Sequence, residues 1–169
     1  CRILPVRLLG DSDPTIQIVS RSIQYAGTMA DVLTMSWTMQ PISTVTSSLQ
    51  FAANSGRVGR GCVLAASTGN DSRIDAIGYP SSLDFIMAAG ASNLFDQRSR
   101  YSNYAFGYGV FLLAPSSDPD VSNVPGVYTI KARYSSSAYT WFSGTSAAAP
   151  QLAAAAALVL SVSPNLRRT

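Results

Sequence analysis

Apolar positions along the chain switch between two rhythms. "CRILPVRLLG" (1–10) is a continuous β-branched and Leu-rich run closed by Gly10, the pattern of a buried strand. "PTIQIVSRSIQYAGTMA" (14–30) spaces Ile16, Val19, Ile23 and Ala26 three and four apart, which predicts an amphipathic helix after the Asp13-Pro14 start signal. "DVLTMSW" (31–37) reads as a strand. "STVTSSLQFAANSG" (43–56) reads as a helix, with Ser43 as a candidate N-cap and Gly56 as its stop. Three further apolar runs predict strands: "GCVLAAS" (61–67), "DFIMAAGAS" (84–92) and "YGVFLLAP" (108–115), the last closed by Pro115. A polar, turn-rich stretch, "SSDPDVSNVPG", follows, then a short β-like "VYTIKARY". The final helix is expected from about Ser146 to Val162. Strands alternating with helices predict an α/β layered fold with a mostly parallel sheet. No internal repeat or linker interrupts it.

Composition narrows the class. A chain of 169 residues suffices for one domain with a sizeable core. Apolar residues reach 47% and charged ones only 12%, which excludes a disordered chain. Low charge with abundant Ser points to a secreted or extracellular protein. The balance is 12 basic against 9 acidic residues, a net +3, with one lysine (Lys131), no Glu and no His. The Arg residues fall in scattered pairs without interleaved aromatics, so nucleic-acid binding is not expected. The longest uninterrupted apolar run of the last helix, Leu152–Leu160, is too short to span a bilayer, so no membrane span is expected. Cys62 lies in an apolar run and reads as an inert buried thiol. With no His and two distant Cys, no metal-ligand pattern exists.

Three short stretches carry candidate chemistry. In "WFSGTSAAAP" a strand-like approach and a Gly-Thr turn lead into a helix, which sets the Ser146 hydroxyl at the helix N-terminus. Unpaired N–H groups and the positive end of the helix dipole stabilise developing negative charge there. The same serine would serve equally as an ordinary N-cap. "AASTGND" (65–71) ends a buried strand on Asn70, whose NH2 could donate to an oxyanion; a turn Asn beside Gly69 is the plainer alternative. "TMSWT" (34–38) ends a third strand, whose backbone could pair with an extended peptide.

Taken together and in this order, these stretches resemble the subtilisin-like serine proteases, the subtilase family. "SGTSAAAPQLAAAAALVLSVSPNL" looks like the family's Gly-Thr-Ser-x-Ala-x-Pro nucleophile motif with its helix and Pro-Asn stop. "VLAASTGNDS" is similar to the strand bearing the oxyanion Asn, and "DVLTMSWT" to the strand lining the first specificity pocket. "ILPVRLLG", "GYPSSLDFIMAAGASN" and "RSRYSNYAFGYGVFLLAPS" match further family segments in order, so the resemblance spans about 1–166. It implies a three-layer α/β/α serine endopeptidase domain acting on peptide or protein substrates. Ser146 would be the nucleophile forming an acyl-enzyme, and Asn70 with the Ser146 N–H would bind the oxyanion. Ser36, Trp37 and Thr38 would form one wall of the substrate cleft, and Ala66, Ser67, Thr68 and Gly69 the other. Calcium is common in the family and stays an expectation by resemblance alone.

The departures are informative. The family triad runs Asp, His, Ser, and this sequence has no His. The resemblance therefore places the Asp and His motifs on a segment upstream of Cys1, making 1–169 a partial catalytic domain. The family strand bearing the Asp lies between those matching 2–8 and 32–36, and "PNLRRT" stops before the usual closing strands. The fold is thus expected to be incomplete at both ends, marginally stable and inactive alone. A non-catalytic subtilase-like scaffold that binds peptides or partners is the alternative. Thr38 replaces a usual Gly, which would narrow the first pocket, and Ser116 stands where Gly is common. Gln151 and Ala154 replace His and Gly after Pro150. Cys1 and Cys62 would start strands two positions apart, roughly 10–15 Å, too far for a disulfide.

Overall fold

A computed structural model describes residues 1–8, 13–106, 110–120, 123, 125–131 and 138–167. Its elements run α1 (Ile16–Met29), β1 (Val32–Met35), α2 (Ser43–Gly59), β2 (Val63–Ser67), β3 (Met87–Ser92), β4 (Val110–Pro115), β5 (Val127–Ile130), β6 (Tyr139–Phe142) and α3 (Thr145–Val162). The larger sheet has the order β1-β2-β3-β4, and both β2–β3 and β3–β4 are parallel. This is the α/β alternation that the sequence predicts. The chain divides into two compact units, one of Cys1–Leu33, Gln40–Leu64 and Ala153–Thr169, the other of Thr34–Met39 and Ala65–Leu152.

In the first unit, α1 is capped by Thr15, whose hydroxyl accepts from the Ile18 N–H at 3.3 Å. Its buried stripe of Val19, Ile23 and Gly27 recurs at four-residue spacing and faces α2, where Val45, Leu49, Ala52 and Ala53 are buried. The helices approach closely at Gly27, where an added Cβ would lie 2.7 Å from that of Ala52. Ser43 is not the N-cap of α2. Ile42 occupies that position in extended conformation with no side-chain cap, and Ser43 is the first helical residue. Gly56 does interrupt the helix, and Arg57 and Val58 follow in the left-handed region. The buried Arg57 side chain donates to Asp31 Oδ1 (3.2 Å) and to the carbonyls of Gly61 (3.2 Å), Pro164 (2.9 Å) and Leu166 (3.0 Å).

The predicted strand at 1–10 is not formed. Residues 1–8 carry no regular structure and Ile3 is 91% exposed; 9–10 lie outside the described residues. A strand exists only by pairing, and among the described residues β1 ends the sheet and pairs with β2 alone. An apolar run without a ladder partner therefore forms no strand. The strand-based separation of Cys1 from Cys62 falls with it, although both cysteines are free.

Cys62 is buried, and its thiol donates to Ala30 O (3.1 Å) and Gly27 O (3.3 Å). Burial pushes the thiol above its ordinary range, with the nearby Arg57 charge opposing. The folded state thus holds this proton more tightly than the unfolded state. The resulting stabilisation is complete below the ordinary thiol pKa and is lost as pH rises through the folded one. Under native conditions a thiol reagent is expected to modify the exposed Cys1 at once and Cys62 only on unfolding. Fast native labelling of both would contradict the inert reading.

The second unit is built on β3, whose Ala88, Ala89, Gly90 and Ala91 are buried between β2 and β4 in the register Ala66↔Ala88 and Ala88↔Phe111. Small residues let a central strand be covered on both faces. The β-like "VYTIKARY" forms β5 only over Val127–Ile130; 132–134 lie outside the described residues, as do 108–109 ahead of β4. β5 pairs antiparallel with β6, Val127↔Phe142, and β6 is the strand-like approach to Ser146. The closing helix passes the length and composition test for crossing a bilayer, which the Leu152–Leu160 run understated because Thr145–Gln151 adds only small, uncharged or weakly polar residues. A third of that window is buried, with Thr145, Ala147, Ala148, Ala149, Leu152 and Ala153 inside, while Leu158 and Val162 (84%) are exposed.

Candidate active site

The site lies within the second unit, where the end of β1, the end of β2 and the start of α3 converge. Ser146 is the second residue of α3, inside the helix rather than capping it, and is half-buried. Gly144 enters the turn at φ 82°, a conformation that favours glycine, and a Cβ there would stand 3.1 Å from Asn70 Nδ2. Both properties explain the Gly-Thr-Ser order.

Asn70 is fixed by its carbonyl end. Its Oδ1 accepts from Thr145 N and from Thr145 Oγ1, each at 2.9 Å. Thr145 Oγ1 in turn accepts from the Gly69 N–H at 3.2 Å. With the carbonyl committed, the amide points its NH2 end beside Gly144, at the N-terminus of α3. No acidic residue occupies the first turn of that helix to oppose an incoming anion. The turn therefore brings a side-chain donor, beside Gly144, to the N-terminal end of the helix that carries Ser146.

Ser36 joins the site by two bonds. Pro150 has no N–H, so the Ser146 carbonyl lacks its partner four residues on, and Ser36 Oγ donates to it at 2.8 Å. Reciprocally, Ser146 Oγ donates to Ser36 O at 3.4 Å, a long bond that holds the hydroxyl weakly. Ser36 and Thr38 are exposed and Trp37 is half-buried.

The segment expected to form the opposite wall is buried. Ala66, Ser67, Thr68 and Gly69 are buried, and their backbone bonds run inward. Ser67 O accepts from Ser81 Oγ (3.0 Å), and Thr68 O accepts from Gly78 N (2.7 Å). In this structure these four residues support Asn70 rather than present side chains to solvent. Beside them, an added Cβ on Gly78 would meet Thr38 Cγ2 at 2.7 Å, so the threonine methyl lies against that glycine.

Three residues that the sequence reading gave no site role support this arrangement. Thr145, fully buried, orients Asn70. Ser116, where the family usually has Gly, donates to Gly144 O at 3.0 Å and accepts from Tyr101 Oη at 3.0 Å. Asn103 anchors the loop around Asn70. Thr145 was open to inference from its place beside the serine; the other two act across long sequence separations and leave no local signature.

Ser146 near the N-terminus of α3 and the Thr145-held amide of Asn70 thus lie at the ends of elements of a parallel α/β sheet. The model of the subtilase family, Peptidase S8, matches residues 1–169, and the chain belongs to that family. It is 40% identical over 135 residues to a calcium-dependent protease of Nostoc sp., covering 70% of this chain and 20% of that protein. It is 30% identical over 161 residues to subtilisin BL of Lederbergia lenta, covering 95% of this chain and 54% of the relative. The chain thus spans between a fifth and about half of these relatives' lengths. Among solved structures, a protease of Pseudoalteromonas arctica matches at TM-score 0.78 and 24% identity, covering 98% of this chain and 52% of that one. Sphericase matches at 0.74 and 22%, covering 95% and 54%. The fold is therefore subtilisin-like.

Proposed function

We infer that this chain is the nucleophile-bearing part of a secreted serine endopeptidase. The observation that carries the reading is the Thr145-locked orientation of Asn70, which turns its NH2 toward the N-terminus of the Ser146 helix. In this reading Ser146 Oγ attacks the scissile carbonyl and forms an acyl-enzyme, which water then hydrolyses. Asn70 Nδ2 and the Ser146 N–H stabilise the oxyanion. A serine hydroxyl needs a base, and the sequence holds no His, so the base and its Asp come from residues outside 1–169. The exposed apolar face of α3 at Leu158, Val159 and Val162 supports a covering segment of this kind. The isolated chain is accordingly inactive and marginally stable.

The substrate is a peptide or protein laid along Ser36–Thr38. The Thr38 methyl against Gly78 narrows the space for the residue on the acyl side of the scissile bond, which favours Gly, Ala or Ser there. Thr38→Gly is expected to raise kcat/KM for Phe or Leu relative to Ala at that position by about tenfold, the scale of one or two methylenes in an apolar pocket. An unchanged ratio in a peptide-library assay removes Thr38 from this role.

Calcium dependence is recorded in the name of the Nostoc relative. Among the described residues no three acidic or thiol side chains gather to hold an ion. Labelling with a fluorophosphonate tests the main reading. The protein carrying this chain is expected to react at Ser146, and Ser146→Ala to abolish the reaction. Absence of labelling together with retained peptide binding would favour the scaffold alternative.

A further inference from the structure

Asn103 is 2% exposed, and every polar group of its side chain faces the loop that carries Asn70. Its Oδ1 accepts from the Asp71 and Arg73 N–H groups, both at 2.9 Å. Its Nδ2 donates to Thr68 O at 3.3 Å and to Asp71 Oδ2 at 3.1 Å. Its backbone N–H donates to Gly69 O at 3.0 Å. The residues on both sides of Asn70 are thus tied to one buried amide, while Asn70 itself is tied to Thr145. Gly69, at φ 102°, lets the loop close this tightly; a Cβ there would lie 2.5 Å from Asn103 Nδ2.

An amide with both ends fully bonded cannot rotate without losing several bonds at once, and a loop pinned on both flanks keeps its central residue in one place. Exposed loops otherwise sample nanosecond to microsecond motion. Stabilisation of an oxyanion depends on donors held in advance at the point where charge develops. Asn70 sits at an exposed loop tip, so this rigidity must come from its neighbours.

We propose that Asn103 is a positioning residue for the oxyanion donor: its side-chain amide clamps residues 68–73 and thereby holds Asn70 in its working orientation. This rests on the reading of Asn70 as that donor. Asn103 touches no reacting atom and acts wholly through the loop.

A double-mutant cycle in the active protease carrying this chain tests it, with Asn70→Ala, Asn103→Ala and the pair. Asn103→Ala is expected to lower kcat at least tenfold with KM within twofold, because a transition-state interaction is lost. In the Asn70→Ala background the same substitution is expected to cost less than threefold. An equal loss in both backgrounds, or a loss confined to KM, overturns the proposal. If Asn70→Ala alone leaves kcat unchanged, the oxyanion reading fails and this inference fails with it, an outcome distinct from additivity.

Should Asn103→Ala not fold, Asn103→Asp serves. It keeps the acceptor for the two N–H groups but sets a carboxylate against Asp71. Its kcat, taken as a ratio to the parent's at the same pH, is expected to rise as pH falls toward the carboxyl range, and on adding Asp71→Asn, which restores a donor to the pair. A kcat indifferent to both would overturn the clamp.

Discussion

Asn70→Ala is expected to reduce kcat by about 10²–10³ with KM nearly unchanged, a magnitude taken over from subtilisin itself. The geometry explains why the loss falls on kcat. Thr145 occupies Asn70 Oδ1 with two donors at 2.9 Å, so only the NH2 end is presented toward the nucleophile turn. A ground-state carbonyl draws little from that donor; the charge that develops on attack draws much more. Asn70→Asp should be no milder above the carboxyl range. It would keep an acceptor for Thr145 but turn negative charge toward the developing oxyanion. Steady-state kinetics on a peptide substrate check both variants, and a kcat within twofold of the parent would remove Asn70 from the chemistry.

The largest effect on stability is expected at Arg57, within the first unit. Its guanidinium is almost wholly buried (4% exposed) and satisfies three carbonyls, whereas its partner carboxylate on Asp31 is 76% exposed. The ion pair itself is then worth at most about 1 kcal/mol, and the bonds to Gly61, Pro164 and Leu166 dominate. Arg57→Ala is expected to destabilise by roughly 2–3 kcal/mol, read from the urea midpoint, and to free the turn after α3 for proteolysis. Arg57→Lys should recover only part, since an ammonium lacks the planar fork that reaches several carbonyls. The difference between parent and Arg57→Ala should persist in 1 M salt. Its disappearance there would mean that the charge pair, not the carbonyl bonds, carries the effect.

Much of this was legible in the sequence because the signals are local. The helical spacing of Val19 and Ile23, the apolar runs at 63–67 and 87–92, and the small residues around Ser146 each follow from a few neighbouring residues. The run at 1–8 was misleading for the opposite reason. Apolar content specifies what can be buried, but a strand also needs a neighbour, and among the described residues β1 pairs only with β2. Ser43 was read as a cap from its side chain alone, yet the chain turns into the helix one residue earlier. The site split along the same line. Ser146 and Asn70 announce themselves by motif, whereas Asn103 reaches its partners 30 or more residues away and resembles any other turn asparagine.

Pro150 sets helix stability and site geometry in opposition. A proline within a helix forgoes about 3 kcal/mol relative to alanine. Here the missing N–H releases the Ser146 carbonyl to Ser36, so a helical acceptor is lent to the neighbouring strand. The Ser146 main chain is anchored by that 2.8 Å bond, while its hydroxyl has only a 3.4 Å contact to Ser36 O. Turning that hydroxyl toward an incoming base costs little, because almost nothing is broken. The residue is stationary where it is built into the chain and free at the one atom that the proposed chemistry uses.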